Sequence, residues 1–187
     1  RFHKDNILLD PYARAVTGQR HWGERPEGGK DFVYHARVVE NNFDWEKSRF
    51  LNHPFEDLVI YEMHVRGFTR DASSGVKAPG TFEGLREKIP YLKDLGINAV
   101  ELMPVFEFDE MEDTRVVDGE RLYNYWGYNT VSFFSPNTSY AAGTEYNREG
   151  NELKNLIQVF NQHGIEVYLD VVFNHTAEGN ENGPFFS

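Results

Sequence analysis

Apolar and polar positions change their period in a regular order from Asp57 onward: strand, helix, strand, helix, strand. The predicted strands are 58–68, 97–105 and 165–175, and the predicted helices are 81–95 and 145–163. Strands that alternate with helices at this spacing form right-handed parallel βαβ units. A closed barrel of such units typically needs eight strands and about 250 residues, so we expect this chain of 187 residues to be incomplete.

Both predicted helices carry one apolar stripe and end at a glycine. The stripes are Phe82, Leu85, Leu92 and Leu95 in the first helix, and Leu153, Leu156, Ile157 and Phe160 in the second. Gly96 and Gly164 follow as the expected ends, because glycine readily adopts the left-handed conformation of a helix C-terminus. Pro90 lies inside the first pattern, so we expect a break or restart near Ile89.

The third predicted strand is the most informative segment. Its alternation over 167–175 predicts one apolar face, expected to lie under a helix, formed by Val167, Leu169, Val171 and Phe173. The other face consists of Tyr168, Asp170, Val172 and Asn174, with His175 at the carboxyl end of the strand. Enzymes built on parallel strands keep their chemistry at that end, so this pattern predicts a catalytic barrel.

The rest of the chain shows weaker patterns. Residues 1–54 predict short strands and loops, with a plausible strand at 31–39, and are too few to close a domain. A long acidic loop is expected to run from 105 to about 142. Its carboxylates at 107–113, with Asp118 and Glu120, could bind calcium, but they lack regular ligand spacing and solvated acidic loops are commoner. We therefore expect no cofactor and keep calcium as the alternative.

Composition narrows the classes of protein further. A hydrophobic share of 40% with 15 Phe, 10 Tyr and 3 Trp can form a packed core. The net charge of −11 argues against a nucleic-acid partner, because phosphate binding needs a basic face. The lack of cysteine excludes disulfides and thiol catalysis, and no apolar run predicts a membrane span or signal peptide. We expect a soluble, cytoplasmic protein.

Three ionisable side chains alternate on the first predicted strand. Glu62, His64 and Arg66 would share one face there, next to Glu101 on the second strand. Because unpaired charges are costly inside a barrel, we expect a structural ion network among them or with another buried partner.

Four segments carry a family resemblance. They are YEMHVRGFT at 61–69, ELMP at 101–104, NYWGYNT at 124–130 and DVVFNHTAEG at 170–179. Together they resemble the first three strands of the α-amylase superfamily (glycoside hydrolase family 13), in its isoamylase or glycogen-debranching branch. The resemblance implies an α/β fold: the N-terminal part of a TIM (β/α)8 barrel at 55–187, preceded at 1–54 by the end of a β-sandwich glucan-binding module and its linker.

The resemblance also implies roles for individual residues. His175 would hydrogen-bond a hydroxyl of the sugar next to the scissile bond, and Tyr128 would stack under that sugar. Asp170 would position the sugar and pair with an arginine on a fourth strand, and Asn174 would support a calcium-binding loop or the neighbouring turn. An isolated histidine is more often structural, but the place of His175 at a strand end favours a functional role. From composition alone, Trp126 and Tyr128 could equally be ordinary core.

The implied activity is hydrolysis of α-1,6-glucosidic branch linkages in glycogen, amylopectin or limit dextrin, with retention of configuration. In this family the aspartate nucleophile, the glutamate acid and a third aspartate stand on the fourth, fifth and seventh strands, so we expect no catalytic carboxylate before Ser187. Alternatives are a pullulanase, a branching enzyme, a trehalose-forming hydrolase, or a non-catalytic glucan-binding scaffold subunit. A plant or algal source would place the protein in a plastid.

Overall fold

A three-stranded parallel sheet organises the chain, which a computed structural model describes at 8–18, 20–24, 33–46, 48–112, 114–143 and 145–177. Its strands are β1 (Ile60–Met63), β2 (Ala99–Leu102) and β7 (Glu166–Leu169), in the order β1-β2-β7. Strands that follow each other in the predicted βαβ pattern therefore lie side by side. This order is the one that the opening of a TIM-type barrel requires.

In the described part of the chain, four α-helices lie between the strands: α1 (Val65–Thr69), α2 (Phe82–Arg86), α3 (Ile89–Leu95) and α4 (Arg148–Gln162). The predicted break at Ile89 is confirmed, because α3 restarts there with Pro90 in its first turn, where a missing N–H costs nothing. Thr81 caps α2 by accepting a hydrogen bond from the Gly84 N–H. Gly96 ends α3 in the left-handed conformation, as predicted.

The first strand is shorter than predicted, so the expected common face of three ionisable residues is wrong. β1 ends at Met63, and His64 caps α1 by accepting a hydrogen bond at Nδ1 from the Gly67 N–H, 3.0 Å away. Arg66 therefore lies on a helix and only Glu62 stays on the strand. The alternation over 58–68 fits either one long strand or a short strand followed by a helix, and the His64 cap selects the second.

The third strand is also shorter than predicted. β7 ends at Leu169, and the Asp170 N–H makes one further bond to the Leu102 carbonyl, at 2.9 Å. Beyond this bond the side chains no longer alternate against a neighbouring strand. Val171 and Phe173 are consequently 37% and 73% exposed, and the prediction that they lie under a helix is wrong.

The predicted acidic loop contains four strands over its described residues. β3 (Phe106–Phe108) pairs antiparallel with β6 (Thr130–Pro136), and β4 (Arg115–Val117) pairs antiparallel with β5 (Glu120–Leu122). The β4–β5 turn is the dipeptide Asp118-Gly119, whose φ angles of 51° and 84° match the two-residue turn that suits the twist of a hairpin. An Asp-Gly pair is a hairpin signal that the sequence prediction did not use.

The main core lies between the sheet and the helices. Alternate strand residues, including Met63, Val100 and Leu102, meet apolar stripes of α2, α3 and α4. Tyr140 and Phe108 extend this core into the connection between β2 and α4. Glu62 and Glu101 lie on the opposite strand positions, adjacent in register, so the polar residues of the sheet face away from the helices.

The N-terminal segment packs onto this unit through a second core cluster. Leu9, Ala13, Val16 and Tyr34 contact Val131 and Ala177 there. In the described part of 1–54, β pairing is limited to the bridge between Val16 and Ala36, so the predicted strand at 31–39 does not form over its described residues. The β-sandwich module is not seen in that part, and the boundary at 54/55 stays a prediction. Across the described ranges, no helix has the length and apolarity to cross a membrane.

Candidate functional site

Asp170 and Tyr128 form the centre of the candidate site. Asp170 follows the carboxyl end of β7, and Tyr128 lies on the segment that leads into β6. The Tyr128 hydroxyl donates to Asp170 Oδ2 over 2.5 Å. This hydrogen bond, partial burial and the nearby Asp170, Glu62 and Glu101 charges raise the pKa of Tyr128 to about 12. The phenol therefore stays a neutral donor at neutral pH and holds Asp170 in place.

His175 also lies at this site, next to Tyr128. Its Nε2 lies 2.8 Å from the Tyr128 carbonyl oxygen, and its Nδ1 lies 2.8 Å from Asn174 Oδ1. The carbonyl oxygen and the amide oxygen both accept, so a protonated ring nitrogen is the donor in either bond. The structure thus brings together Tyr128, Asp170 and His175, and it places Asn174 against the histidine ring at an exposed position.

An exposed indole lies next to Tyr128. Trp126 is 62% exposed and meets the Tyr128 ring edge-on, with 6.3 Å between ring centroids. Gly127 between them has φ 82°, and a Cβ at this position would lie 2.5 Å from Phe108 Cε1. The Phe108 side chain therefore packs directly against the Gly127 backbone. Trp126 is too exposed to be ordinary core.

These residues border a cleft of about 810 Å³. Its wall consists of Trp22, Arg115, Arg121, Leu122, Tyr123, Asn124, Tyr125, Trp126, Tyr128, Asn129 and His175. Tyr128 and His175 face this common cavity, and Asp170 is bonded to the phenol that lines it. A cleft with aromatic walls and a few polar groups suits a neutral organic ligand such as a sugar.

His64 and Arg66 support the inner wall of the cleft. The His64 ring stacks on Tyr125 with 3.9 Å between centroids, donates from Nε2 to the Tyr125 carbonyl, and lies near the buried Tyr140 hydroxyl. Burial lowers the pKa of His64, so the ring is neutral. The Arg66 guanidinium lies 4.7 Å above the Trp22 ring. The predicted contact of His64 with another buried group is confirmed, and that group is a tyrosine.

The acidic segment uses its carboxylates as hydrogen-bond acceptors. Glu107 is fully buried, accepts from the Thr138 N–H and hydroxyl, and has its pKa raised well above the ordinary range by burial. Glu110 is also buried, accepts from the Gly23 N–H at 3.1 Å, and has its pKa raised to about 7, mainly by burial. Over the described positions, no three His, Cys, Asp or Glu residues lie close enough together to hold a metal ion.

Sequence reasoning did not find several residues of the cleft. Trp22 lies in an N-terminal segment without periodicity, and no local signal links it to Tyr140, which stacks on it at 6.1 Å. Arg115 and Arg121 belong to the hairpin that was expected to be a loop. The dense aromatic run at 123–128 was the one available signal for Tyr123 and Tyr125.

The chain resembles curated proteins with known names over nearly its whole length. It is 47% identical to "Isoamylase 1, chloroplastic" of Arabidopsis thaliana over 194 residues, which cover 100% of this chain and 25% of that protein. It is 37% identical to the "Glycogen operon protein GlgX homolog" of Haemophilus influenzae, covering 97% of the chain and 28% of that protein. The chain thus spans about a quarter of the length of these relatives.

Solved structures with the same fold include two glucan-active proteins. One is the catalytic module of the pneumococcal glycogen-degrading virulence factor SpuA, with a TM-score of 0.69 and 31% identity over 91% of this chain and 26% of that one. The other is the pullulanase of Anoxybacillus sp. LM18-11 complexed with maltotetraose, with a TM-score of 0.69 and 32% identity over 91% of this chain and 24% of that one. These neighbours support a TIM-barrel-type α/β fold.

The family model described as "Alpha amylase, catalytic domain" matches residues 41–184. This range contains the parallel sheet and Tyr128, Asp170 and His175. The predicted superfamily is therefore confirmed, and the chain belongs to the α-amylase catalytic-domain family.

Proposed function

We propose that the protein to which this chain belongs hydrolyses α-1,6-glucosidic branch linkages of glycogen or amylopectin-type glucans with retention of configuration. The observation that carries the proposal is the group Tyr128, Asp170 and His175, gathered in one cleft at the carboxyl end of the sheet. The isoamylase and GlgX names of the relatives support α-1,6 linkages as the target.

Each residue of the group suits a sugar that lies against it. The Tyr128 ring offers a flat face for the C–H groups of a pyranose. At the exposed His175 ring, a sugar hydroxyl can replace the Tyr128 carbonyl or Asn174 Oδ1 as hydrogen-bond partner. The Tyr128 hydroxyl donates to Oδ2 of Asp170, so Oδ1 is the oxygen that we assign to a sugar hydroxyl or to the arginine that the resemblance places on a fourth strand. We propose positioning of the sugar as the shared task of Tyr128, Asp170 and His175, with Asn174 orienting the histidine ring.

Bond cleavage needs groups that this site does not supply. Retaining hydrolysis uses a nucleophilic carboxylate and an acid about 5 to 5.5 Å apart, flanking the bond. The resemblance places both on later barrel strands, outside the 187 residues. Contacts to the sugar alone stabilise substrate and transition state about equally and do not accelerate cleavage. We therefore predict that the 187-residue chain is inactive by itself.

The test compares this chain with its longer parent protein. Both are purified, and the release of linear chains from a branched glucan is measured by reducing ends and chromatography. We expect release by the parent and none by the 187-residue chain. Release by the 187-residue chain would refute the placement of the carboxylates. A folded but inactive parent that still binds glucan would favour the scaffold-subunit alternative.

A pullulanase-type activity is the second candidate, because pullulanases are among the solved structures with this fold. The relative rates of the parent on pullulan and on glycogen distinguish the two. A higher rate on glycogen supports the isoamylase type, and a higher rate on pullulan supports the second candidate.

The cytoplasmic location stays a prediction, with a plastid as the alternative that the chloroplastic relatives favour. Fractionation of source cells decides between these two locations.

A further inference from the structure

The aromatic wall of the cleft is a segment without regular secondary structure. Residues 123–128 lie in neither a strand nor a helix, so no ladder of backbone hydrogen bonds sets their shape. At one end, Tyr128 donates to Asp170, which follows β7. Near the other end, Tyr125 contacts His64, which follows β1. The segment therefore connects the carboxyl ends of two strands, and side-chain contacts hold it at both.

The start of α1 fixes Tyr125 at three points. His64 Nε2 lies 2.6 Å from the Tyr125 carbonyl oxygen, and the His64 ring stacks on the Tyr125 ring with 7° between their planes. The Tyr125 hydroxyl lies against the backbone of Gly67, where an added Cβ would overlap it. Because His64 is buried, water competes little for these contacts. Backbone, ring and hydroxyl of Tyr125 are thus all held by one turn of helix.

The two ring nitrogens of His64 have separate tasks. Nδ1 accepts a hydrogen bond from the Gly67 N–H and so carries no proton. Nε2 carries the proton and donates it to the Tyr125 carbonyl. Burial lowers the pKa of His64, which maintains this neutral tautomer. One nitrogen therefore caps α1, and the other holds the wall of the cleft.

We propose that His64 is a positioning residue for the hydrolysis, because it ties Tyr125 to the end of β1 and thereby orients Tyr128 for the sugar next to the scissile bond. This inference rests on the proposed function and deepens it. His64 does not line the cleft, so it acts through Tyr125. A misplacement of about 1 Å that originates away from the reacting atoms can lower a rate by about 100-fold.

The test uses the parent protein and two substitutions that separate the tasks of the two nitrogens. His64→Asn places an acceptor oxygen where Nδ1 was and nothing where Nε2 was, so it keeps the cap and loses the bond to Tyr125. His64→Gln places an amide N–H where Nε2 was and has no acceptor at the position of Nδ1. Thr81→Ala is the matched control, because it uncaps α2, which has five residues like α1, and Thr81 does not line the cleft.

The readouts are kcat and KM on glycogen, measured at a temperature at which thermal unfolding shows every variant to be folded. We expect His64→Asn to lower kcat by about tenfold, the change that the loss of one ordinary hydrogen bond produces. KM should change by less than about twofold, since the other contacts to the glucan remain. His64→Gln should recover most of the rate, although it loses the cap. All three variants should have a lower Tm, whereas only His64→Asn should have a much lower kcat.

Two results would overturn the positioning role while leaving the debranching function in place. One is a wild-type kcat in folded His64→Asn. The other is a loss of kcat that follows the loss of Tm across His64→Asn, His64→Gln and Thr81→Ala, since that pattern belongs to a merely structural histidine. A wild-type parent that cleaves no glycogen would refute the proposed function and, with it, this inference.

Discussion

Replacing Glu110 by Gln should remove a pH-dependent loss of stability from this fold. Glu110 is 1% exposed, its Oε2 has no hydrogen-bond partner among the described residues, and burial is the main reason why its pKa rises from 4.5 to about 7. The groups that face it include Arg66, which opposes the rise in its pKa, and Asp109, which adds to it. Glutamine keeps the carbonyl that accepts the Gly23 N–H and cannot ionise.

Proton linkage gives the direction and the size of this change in stability. Between pH 4.5 and about 7 the folded state keeps a proton on Glu110 that the unfolded chain has lost, so the free energy of unfolding falls as pH rises and then levels off. Each pKa unit corresponds to about 1.36 kcal/mol. Ionisation of Glu110 should therefore lower the free energy of unfolding of the wild-type protein by about 2.5 kcal/mol between about pH 5 and about pH 8. The variant should lack this decrease. Its buried amide adds an unsatisfied donor that costs about 1 to 3 kcal/mol at every pH.

The assay is urea unfolding of the parent protein and of Glu110→Gln, measured in pairs across that pH range so that the other titrating groups cancel. Trp22 precedes the glycine that Glu110 binds, so its fluorescence should titrate near pH 7 in wild type and not in the variant. Glu120→Gln is the control, because Glu120 is exposed. Identical pH slopes for wild type and Glu110→Gln would refute the reasoning.

Two further predictions concern the segment that carries Tyr128. Tyr128→Phe keeps the ring but loses the 2.5 Å hydrogen bond to Asp170. A hydrogen bond to a charged acceptor contributes about 1.5 kcal/mol, so kcat/KM of the parent for branched glucan should fall by about tenfold. Unchanged kinetics would refute a positioning role. Gly127→Ala should lower the free energy of unfolding by about 2 kcal/mol or more, because it adds a Cβ 2.5 Å from Phe108 to a backbone with positive φ. Gly119→Ala, with φ 84° and open space around it, should cost about 1 kcal/mol from conformation alone, and equal losses in the two variants would contradict the clash.

Local patterns were enough to predict the order of the three parallel strands and of the helices α2, α3 and α4. The strand and helix periods placed β1, β2 and β7 in parallel neighbouring positions, because short βαβ connections leave few other arrangements. Pro90 and Gly96 marked the break and the end of the helical region, since both act through their own backbone. The family motifs also pointed to Tyr128, Asp170 and His175, which the fold then brings together.

Tertiary structure decided where elements end and what surrounds the site. His64, whose ring is stacked on Tyr125, stops β1 by accepting a hydrogen bond from the Gly67 N–H. β7 stops when its ladder with β2 runs out, and apolar alternation continues past both points. Trp22 reaches the cleft from a segment with no periodicity, held by Tyr140 far along the chain. Hydrophobic period and the backbone effects of proline and glycine act between near neighbours, so the sequence alone determined the parallel strands, the helices α2 to α4 and their order. Ladder length, ring stacking and burial depend on partners that only folding brings within reach, and these determined the shape of the cleft.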